Sequence, residues 1–148
     1  GILVGSSSTG LFLIHGESLS NPYVEPRPFR VNAGAVHSYV RAPGGATRYL
    51  SEVRWGEALL IVNAQGETQI TYVGRVKTER RPLLLVEAEA EGERVSCIVQ
   101  NAETVCLVAS SGEPISVVDV TQGDKILILR EAGGRHLGRL VEERIEEG

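Results

Sequence analysis

YLSEVRWGEALLIV, residues Tyr49 to Val62, reads as a short helical turn, a glycine and acid pair, and a strand, and the chain uses that order twice. Set against Ala109 to Leu129 at an offset of 67, the segment Ala42 to Val62 matches Ala42/Ala109, Gly45/Gly112, Val53/Val120, Gly56/Gly123, Leu60/Leu127 and Ile61/Ile128. Each copy carries an acid before the turn (Glu52, Asp119) and another after the glycine (Glu57, Asp124). Upstream, across a two-residue gap, Asn32, Ala33 and Val36 answer Asn101, Ala102 and Val105. The pattern predicts an internal duplication, about 30–66 and 99–133. The fold class it predicts is mainly β: duplicated antiparallel units forming a barrel-like or sandwich domain with short helical turns. The junction between the copies is the natural crevice.

Strand and turn signals fill the space between the copies. The turn Asn63 to Gly66 joins Leu59–Val62 to Thr68–Val76, and Arg81 and Pro82 break the chain before Leu83–Ala90. Glu91 and Gly92 then turn into Arg94–Val99, so most of this region reads as antiparallel hairpin. A two-residue turn at Asn101 and Ala102 would set Cys97 and Cys106 opposite each other, but two buried thiols are the state expected. Before residue 130 no helical apolar period exceeds about two turns. Beyond it, EAGGRHLG (Glu131 to Gly138) reads as a weak helix, and Leu140 to Glu147 as a last strand or a charged terminal helix.

At the other end, Gly1 to Gly5 is a short apolar entry, GSSSTG (Gly5 to Gly10) a loop, and Leu11 to Ile14 a strand. Dinucleotide fingerprints need a helix directly after their glycines, so this loop has neither usual form. Its backbone amides, with Ser6, Ser7, Ser8 and Gly10, could still hold an anion, or make a plain serine-rich turn. Glu17 to Pro28 carries three of the six prolines and reads as an exposed loop or lid. Val31 to Val40 reads as a strand containing His37, and Ala33, Gly34 and Ala35 are small enough to admit a ligand or a second backbone.

Composition narrows the function classes. Acids number 19 against 15 bases, a net charge of −4, which offers no basic field to nucleic acid. The bases are 13 arginines and two lysines, Lys77 and Lys125, and a guanidinium fork suits carboxylate or phosphate. Two cysteines are too few for a disulfide framework, and no leader or membrane-length apolar run is present, so a cytoplasmic protein without a membrane partner is expected. His15, His37 and His136 lack a metal-ligand spacing, so no structural zinc is expected. The chain has no methionine, so Gly1 is not an initiator and a fragment of a longer protein is expected.

Four stretches carry a family likeness: GSSSTGLFLIHGES (Gly5 to Ser18), NPYVEPRPFRVNAGAVHSYV (Asn21 to Val40), GGATRYLSEVRWGE (Gly44 to Glu57) and VGRVKTERRPLLLVEAE (Val73 to Glu89). With QNAETVCLV and QGDKILIL following in order, the chain resembles, over nearly its whole length, the C-terminal part of the type II 3-dehydroquinate synthases, archaeal enzymes with bacterial relatives. The resemblance implies NAD-dependent oxidative deamination of 2-amino-3,7-dideoxy-D-threo-hept-6-ulosonate and ring closure to 3-dehydroquinate, on the shikimate route to aromatic amino acids. It also implies that residues 1–148 are the C-terminal β-rich domain of a longer enzyme whose N-terminal part is its partner. HGES (His15 to Ser18) departs from the archaeal pattern and leaves open the bacterial branch that makes 3-amino-4-hydroxybenzoate, for which a divalent cation is expected. In fold alone, the paired Gly56/Glu57 and Gly123/Asp124 units look similar to the Hint modules of inteins, but QNAE (Gln100 to Glu103) departs from the splicing chemistry.

That reaction calls for a carboxylate anchor, a general acid or base, and donors toward a developing enolate. The reading assigns Arg27 and Arg30 to the carboxylate or the cofactor's phosphates, Asn32 to a hydroxyl or carbonyl, and His37 to proton transfer. Lys77, Glu79, Arg80 and Arg81 form a second patch, in which a desolvated Lys77 could move a proton with Glu79; a surface ion-pair network explains the same letters. The alternative to an enzyme site is a β-rich lid or oligomerisation module over a catalytic N-terminal half, with a homo-oligomer left open.

Overall fold

A computed structural model describes residues 1–16, 30–130 and 140–146. The strands, in chain order, are β1 (Ile2–Ser7), β2 (Gly10–Ile14), β3 (Tyr39–Arg41), β4 (Thr47–Tyr49), β5 (Ala58–Val62), β6 (Thr68–Tyr72), β7 (Leu83–Ala90), β8 (Glu93–Gln100), β9 (Cys106–Val108), β10 (Pro114–Ser116), β11 (Lys125–Arg130) and β12 (Leu140–Glu146). Short 3-10 turns at Pro43–Gly45 and Leu50–Glu52 are the only helical elements among the described residues. The protein is mainly β, as the sequence implies.

Ten strands share one antiparallel sheet in the order β4-β3-β1-β2-β11-β12-β7-β8, with β9 and β10 attached through β2, while β5 and β6 form a separate hairpin. The path ends at β4 and at β8, so the described strands do not close into a barrel. Instead β8 folds back over β1 and β2, which gives a sandwich-like arrangement. Alternation along the strands makes this possible: Val95, Cys97 and Val99 of β8 are buried, as are Val86, Ala88 and Ala90 of β7. They join Ile2, Val4, Phe12 and Ile14 in the larger core cluster. On the other face of the same hairpin, Leu3, Leu11 and Leu13 join Val62, Val108, Leu127 and Leu129 in a second cluster. The β1–β2 hairpin is thus apolar on both faces, and each large side chain it buries contributes roughly 1.5–3 kcal/mol.

Residues 67 apart adopt matching local geometry. In the β3–β4 pair Tyr39 faces Tyr49 and Arg41 faces Thr47; in the β9–β10 pair Cys106 faces Ser116 and Val108 faces Pro114. Ala42 N donates to Ala46 O at 2.8 Å and Ala109 N to Glu113 O at 2.8 Å. Leu50 N donates to Ser38 O at 2.9 Å and Val117 N to Val105 O at 2.9 Å. The recurrent acid after the glycine has a turn-closing role in both places. Arg54 N donates to Glu57 Oε1 at 3.1 Å and Thr121 N to Asp124 Oδ2 at 2.8 Å. Gly56 and Gly123 hold the turn with left-handed φ of 86° and 99°.

Two expectations change, and one open alternative is decided. Val31–Val40 is not a strand except at Tyr39–Arg41. Gly34 turns to a φ of 101° and lies against Ile98 O, where Ala35 N donates at 3.0 Å, so the small residues bring this segment onto β8 without a ladder. The hairpin alternative for Cys97 and Cys106 is not taken, because β8 pairs with β7 while β9 pairs with β10 and β2; both are free thiols as expected, Cys97 buried and Cys106 half-buried. The serine loop shrinks to the turn Ser8–Thr9, since β1 runs on to Ser7 and β2 resumes at Gly10. Of the two readings for the C-terminal segment the strand is observed, paired to β11 and β7. The loop Glu17–Pro28 with Arg27, and the helix expected from Glu131 to Gly138 with His136, lie outside the described residues.

The layers approach closely at Gly10, where an added Cβ would meet the Val95 side chain, its Cβ at 2.8 Å. Gly10→Ala is expected to destabilise the protein by about 1–3 kcal/mol through overpacking. In a Val95→Ala background the same change should cost markedly less, the two substitutions coupling as contacting residues do. Urea unfolding of the four proteins of this cycle checks it; additive losses would mean that the layers do not meet there.

Candidate functional site

The residues singled out in the sequence fall into two places. At the β1–β2 turn, the Ser7 hydroxyl accepts the Thr9 N–H at 3.2 Å and hydrogen-bonds Thr9 Oγ1 at 2.9 Å, so it serves to close the turn. Gly10 pairs with Arg130, whose guanidinium is buried and donates to Ala90 O at 3.0 Å and to Glu93 Oε2 at 2.7 Å. Ser6 and Ser38 flank the last β1–β3 pair, Gly5 with Tyr39. Each has a buried Oγ without a hydrogen-bond partner among the described residues.

The second place is the far end of β8. Asn32 Nδ2 donates to Gln100 Oε1 at 2.6 Å, Gln100 pairs with Leu83, and Asn101 N donates to Pro82 O at 2.9 Å. The segment holding Arg30 and Asn32 and the charged segment ending at Arg81 therefore meet at Gln100. His37 lies in an exposed turn just before Ser38, and Arg30 is also exposed. Val95, against Gly10, and Gln100, bonded to Asn32, are five positions apart on β8, about 16 Å at roughly 3.3 Å per residue. The serine turn and the Asn32 end are thus not one cleft.

Lys77 Nζ lies 2.7 Å from Glu79 Oε1, and Arg81 Nη2 2.7 Å from Glu79 Oε2. Both bases pull the Glu79 carboxyl below its ordinary range, the hydrogen bond from Lys77 foremost and that from Arg81 next. With 65% of its side chain exposed, Lys77 is ion-paired rather than desolvated. Arg80 is exposed beside this triad. The cysteines are set apart from it: burial pushes both thiols up, for Cys106 with help from the Asp119 charge.

Sequence reading missed the deepest charged side chain among the described residues. Arg41 is 2% exposed, on a strand otherwise committed to the core. It lines a pocket of about 390 Å³ between β1, β3 and β11 on one side and the β5–β6 hairpin on the other, with Leu3, Leu60, Val62 and Leu129 as apolar walls. None of the described residues chosen from the sequence lines it. A signal was present: at the offset of 67, Arg41 stands where the second copy has Val108. Among the described residues no group of three or more His, Cys, Asp or Glu side chains could hold a metal ion, and no helix is long and apolar enough to cross a membrane.

The ion triad gives a direct check. Because the folded-state pKa of Glu79 is depressed, its contribution to stability is present above the ordinary carboxyl value and is lost as pH falls through the lowered one. Lys77→Ala and Arg81→Ala should each raise the Glu79 midpoint, Lys77→Ala by more, in an NMR titration of its side-chain carboxyl. Unmoved midpoints would show that the triad does not persist in solution.

A family model described as the 3-dehydroquinate synthase II C-terminal domain matches residues 1–148. The 3-dehydroquinate synthase of Methanopyrus kandleri is 60% identical over 150 residues, covering 99% of this chain and 37% of that protein. That of Methanocaldococcus jannaschii is 55% identical over 147 residues, covering 99% of this chain and 41% of that protein. A 3-dehydroquinate synthase homolog of Aquifex aeolicus is 52% identical over 147 residues, covering 99% and 44%. The chain spans about two-fifths of the length of these curated relatives. No solved structure matches it.

Proposed function

Since the chain belongs to the 3-dehydroquinate synthase II family, as its C-terminal domain, we propose that the complete enzyme makes 3-dehydroquinate by NAD-dependent oxidative deamination and cyclisation of 2-amino-3,7-dideoxy-D-threo-hept-6-ulosonate. The observation that carries this reading is the identity of 60% to a 3-dehydroquinate synthase over 99% of the chain. Such a reaction places the enzyme in aromatic amino acid biosynthesis, in the cytoplasm.

The described residues do not fit a dinucleotide. The serine turn lies between two strands with no helix behind it, and Ser7 is already bonded to Thr9. In this proposal NAD is therefore held mainly by other parts of the complete enzyme, and the domain's own contribution is to substrate. Arg30 offers a guanidinium to the substrate carboxylate at the β8 end. Asn32, steadied by Gln100, keeps a carbonyl oxygen and a second N–H for a substrate hydroxyl or carbonyl. His37, exposed in its turn, is placed to move a proton during ring closure. Arg80, beside the Lys77–Glu79–Arg81 triad, adds positive charge to the approach.

NAD⁺ calorimetry on the complete enzyme and on the 148-residue chain tests the division of labour, binding being expected for the complete enzyme and not for the chain alone. Equal binding by the chain would return the cofactor to this domain. In the complete enzyme, Arg30→Ala should raise KM, and His37→Ala should lower kcat by about 10²-fold or more, with the fold unchanged. Unchanged kinetics would remove either residue from the site, and turnover without 3-dehydroquinate and reduced cofactor would remove the function.

A further inference from the structure

Trp55, at the turn into β5, and Tyr72, at the end of β6, are the most exposed large apolar or aromatic side chains among the described residues. Neither has a part in the reaction proposed above. We infer that the face made by Trp55, Ile70 and Tyr72 is the docking surface for the N-terminal part of the complete enzyme. The inference rests on the chain being the C-terminal domain of a longer protein, and not on the reaction proposed for that protein.

Three observations carry this. The first is a contrast between two turns of the same build. Glu57 N donates to Arg54 O at 3.2 Å and Asp124 N to Thr121 O at 3.1 Å, with left-handed Gly56 and Gly123 at the third position of each turn. At the second position one copy has Trp55, 81% exposed, and the other has Gln122, also exposed. Glutamine therefore satisfies that place in the fold. A tryptophan left in water adds little to the domain's own stability, whereas Trp and Tyr are the side chains that carry the binding energy of interfaces.

The second is continuity. Among the described residues β6 has one hydrogen-bonded neighbour, β5, so its outer edge is open, and such an edge ordinarily needs a cover. Thr68, Ile70 and Tyr72 alternate onto one face of β6, Ile70 53% and Tyr72 69% exposed. Gly56 N donates to Val73 O at 2.7 Å, which brings the Trp55 turn to the Tyr72 end of that face. The third is where the rest of the protein arrives. Gly1 N donates to Val62 O at 3.0 Å and Val62 N to Gly1 O at 2.8 Å, and Val62 pairs with Thr68. The face thus begins beside the point at which preceding residues enter and ends four positions on, about 13 Å at roughly 3.3 Å per residue. The 150 residues matched are 37% of the Methanopyrus kandleri relative, so the part outside them is larger than this domain. Even a body of this domain's size has a radius of gyration of roughly 15 Å, enough to reach across the face. Joined through Gly1, it meets the face at an effective concentration on the order of millimolar, which a second copy in free solution does not reach.

Hydroxyl-radical footprinting of the complete enzyme, read by peptide mass spectrometry against the urea-unfolded chain, tests this without turnover. Failure of the proposed reaction and failure of the docking face are therefore separate results. Trp55 and Tyr72 are expected to be protected about tenfold or more, as desolvated anchors of an interface are. Oxidation of either at the unfolded rate overturns the inference. A benzophenone amino acid in place of Trp55 should cross-link to a peptide preceding Gly1; cross-links that land instead on residues 1–148, of the same chain or of a second copy, overturn it. Trp55→Gln, which installs the side chain of the matching turn, should leave the domain folded and raise the oxidation of Tyr72 several-fold. Val118→Ser, at an exposed position of the other copy, should leave Tyr72 protected. Unchanged protection in Trp55→Gln, or an equal loss in Val118→Ser, would also overturn it. Should Trp55→Gln fail to fold, Tyr72→Ser with Trp55 as the reporter takes its place.

Discussion

Everything in this domain rests on a hairpin that has no solvent face. β1 and β2 are apolar on both sides, and a two-sided apolar ribbon has to be covered twice. One cover is β8, brought so close at Gly10 that only hydrogen fits where a side chain would be. The other is the β5–β6 hairpin together with the flanks of β9 and β11. Both covers then fix where polar groups can go. Arg130 reaches past the edge of the first to Ala90 and Glu93, and Arg41 is enclosed under the second.

Much of this was legible in the letters. Leu83–Ala90 alternates and is bounded by Pro82 and Gly92, and it forms the strand with those bounds. The Gly56/Glu57 and Gly123/Asp124 pairs recur because each acid closes its own turn, a local interaction that sequence can display. Val31–Val40 misled because its apolar letters pack on β8 without a ladder, and only the left-handed Gly34 discloses why. The cysteines are free thiols, as expected, and do not meet across a turn. Asn101 is drawn to Pro82 O, and that long-range bond sends the chain away from a hairpin.

The charged residues divide in a way that counting could not show. Clusters of letters such as Lys77–Arg81 attract the eye, yet they are solvated, and Lys77 and Arg81 share the single carboxylate of Glu79. Arg41 and Arg130 stand outside any such cluster, and among the described residues they are the charges that are buried. Exposed ion pairs are individually weak, while taking a charge out of water is expensive even when it is paired. The energetic weight of a charge here runs opposite to its prominence in the sequence.

The two sides of the Arg41 pocket belong to different sheets. Among the described residues, the β5–β6 hairpin is tied by backbone hydrogen bonds to the larger sheet chiefly where Val62 N donates to Gly1 O at 2.8 Å. A ladder holds its strands at a fixed spacing of about 4.8 Å, but side-chain packing between sheets sets no such rule. The width of the pocket is therefore a compliant coordinate, stiff along the strands and soft across the gap. A wall of that kind adjusts its clearance to whatever lies between the sheets.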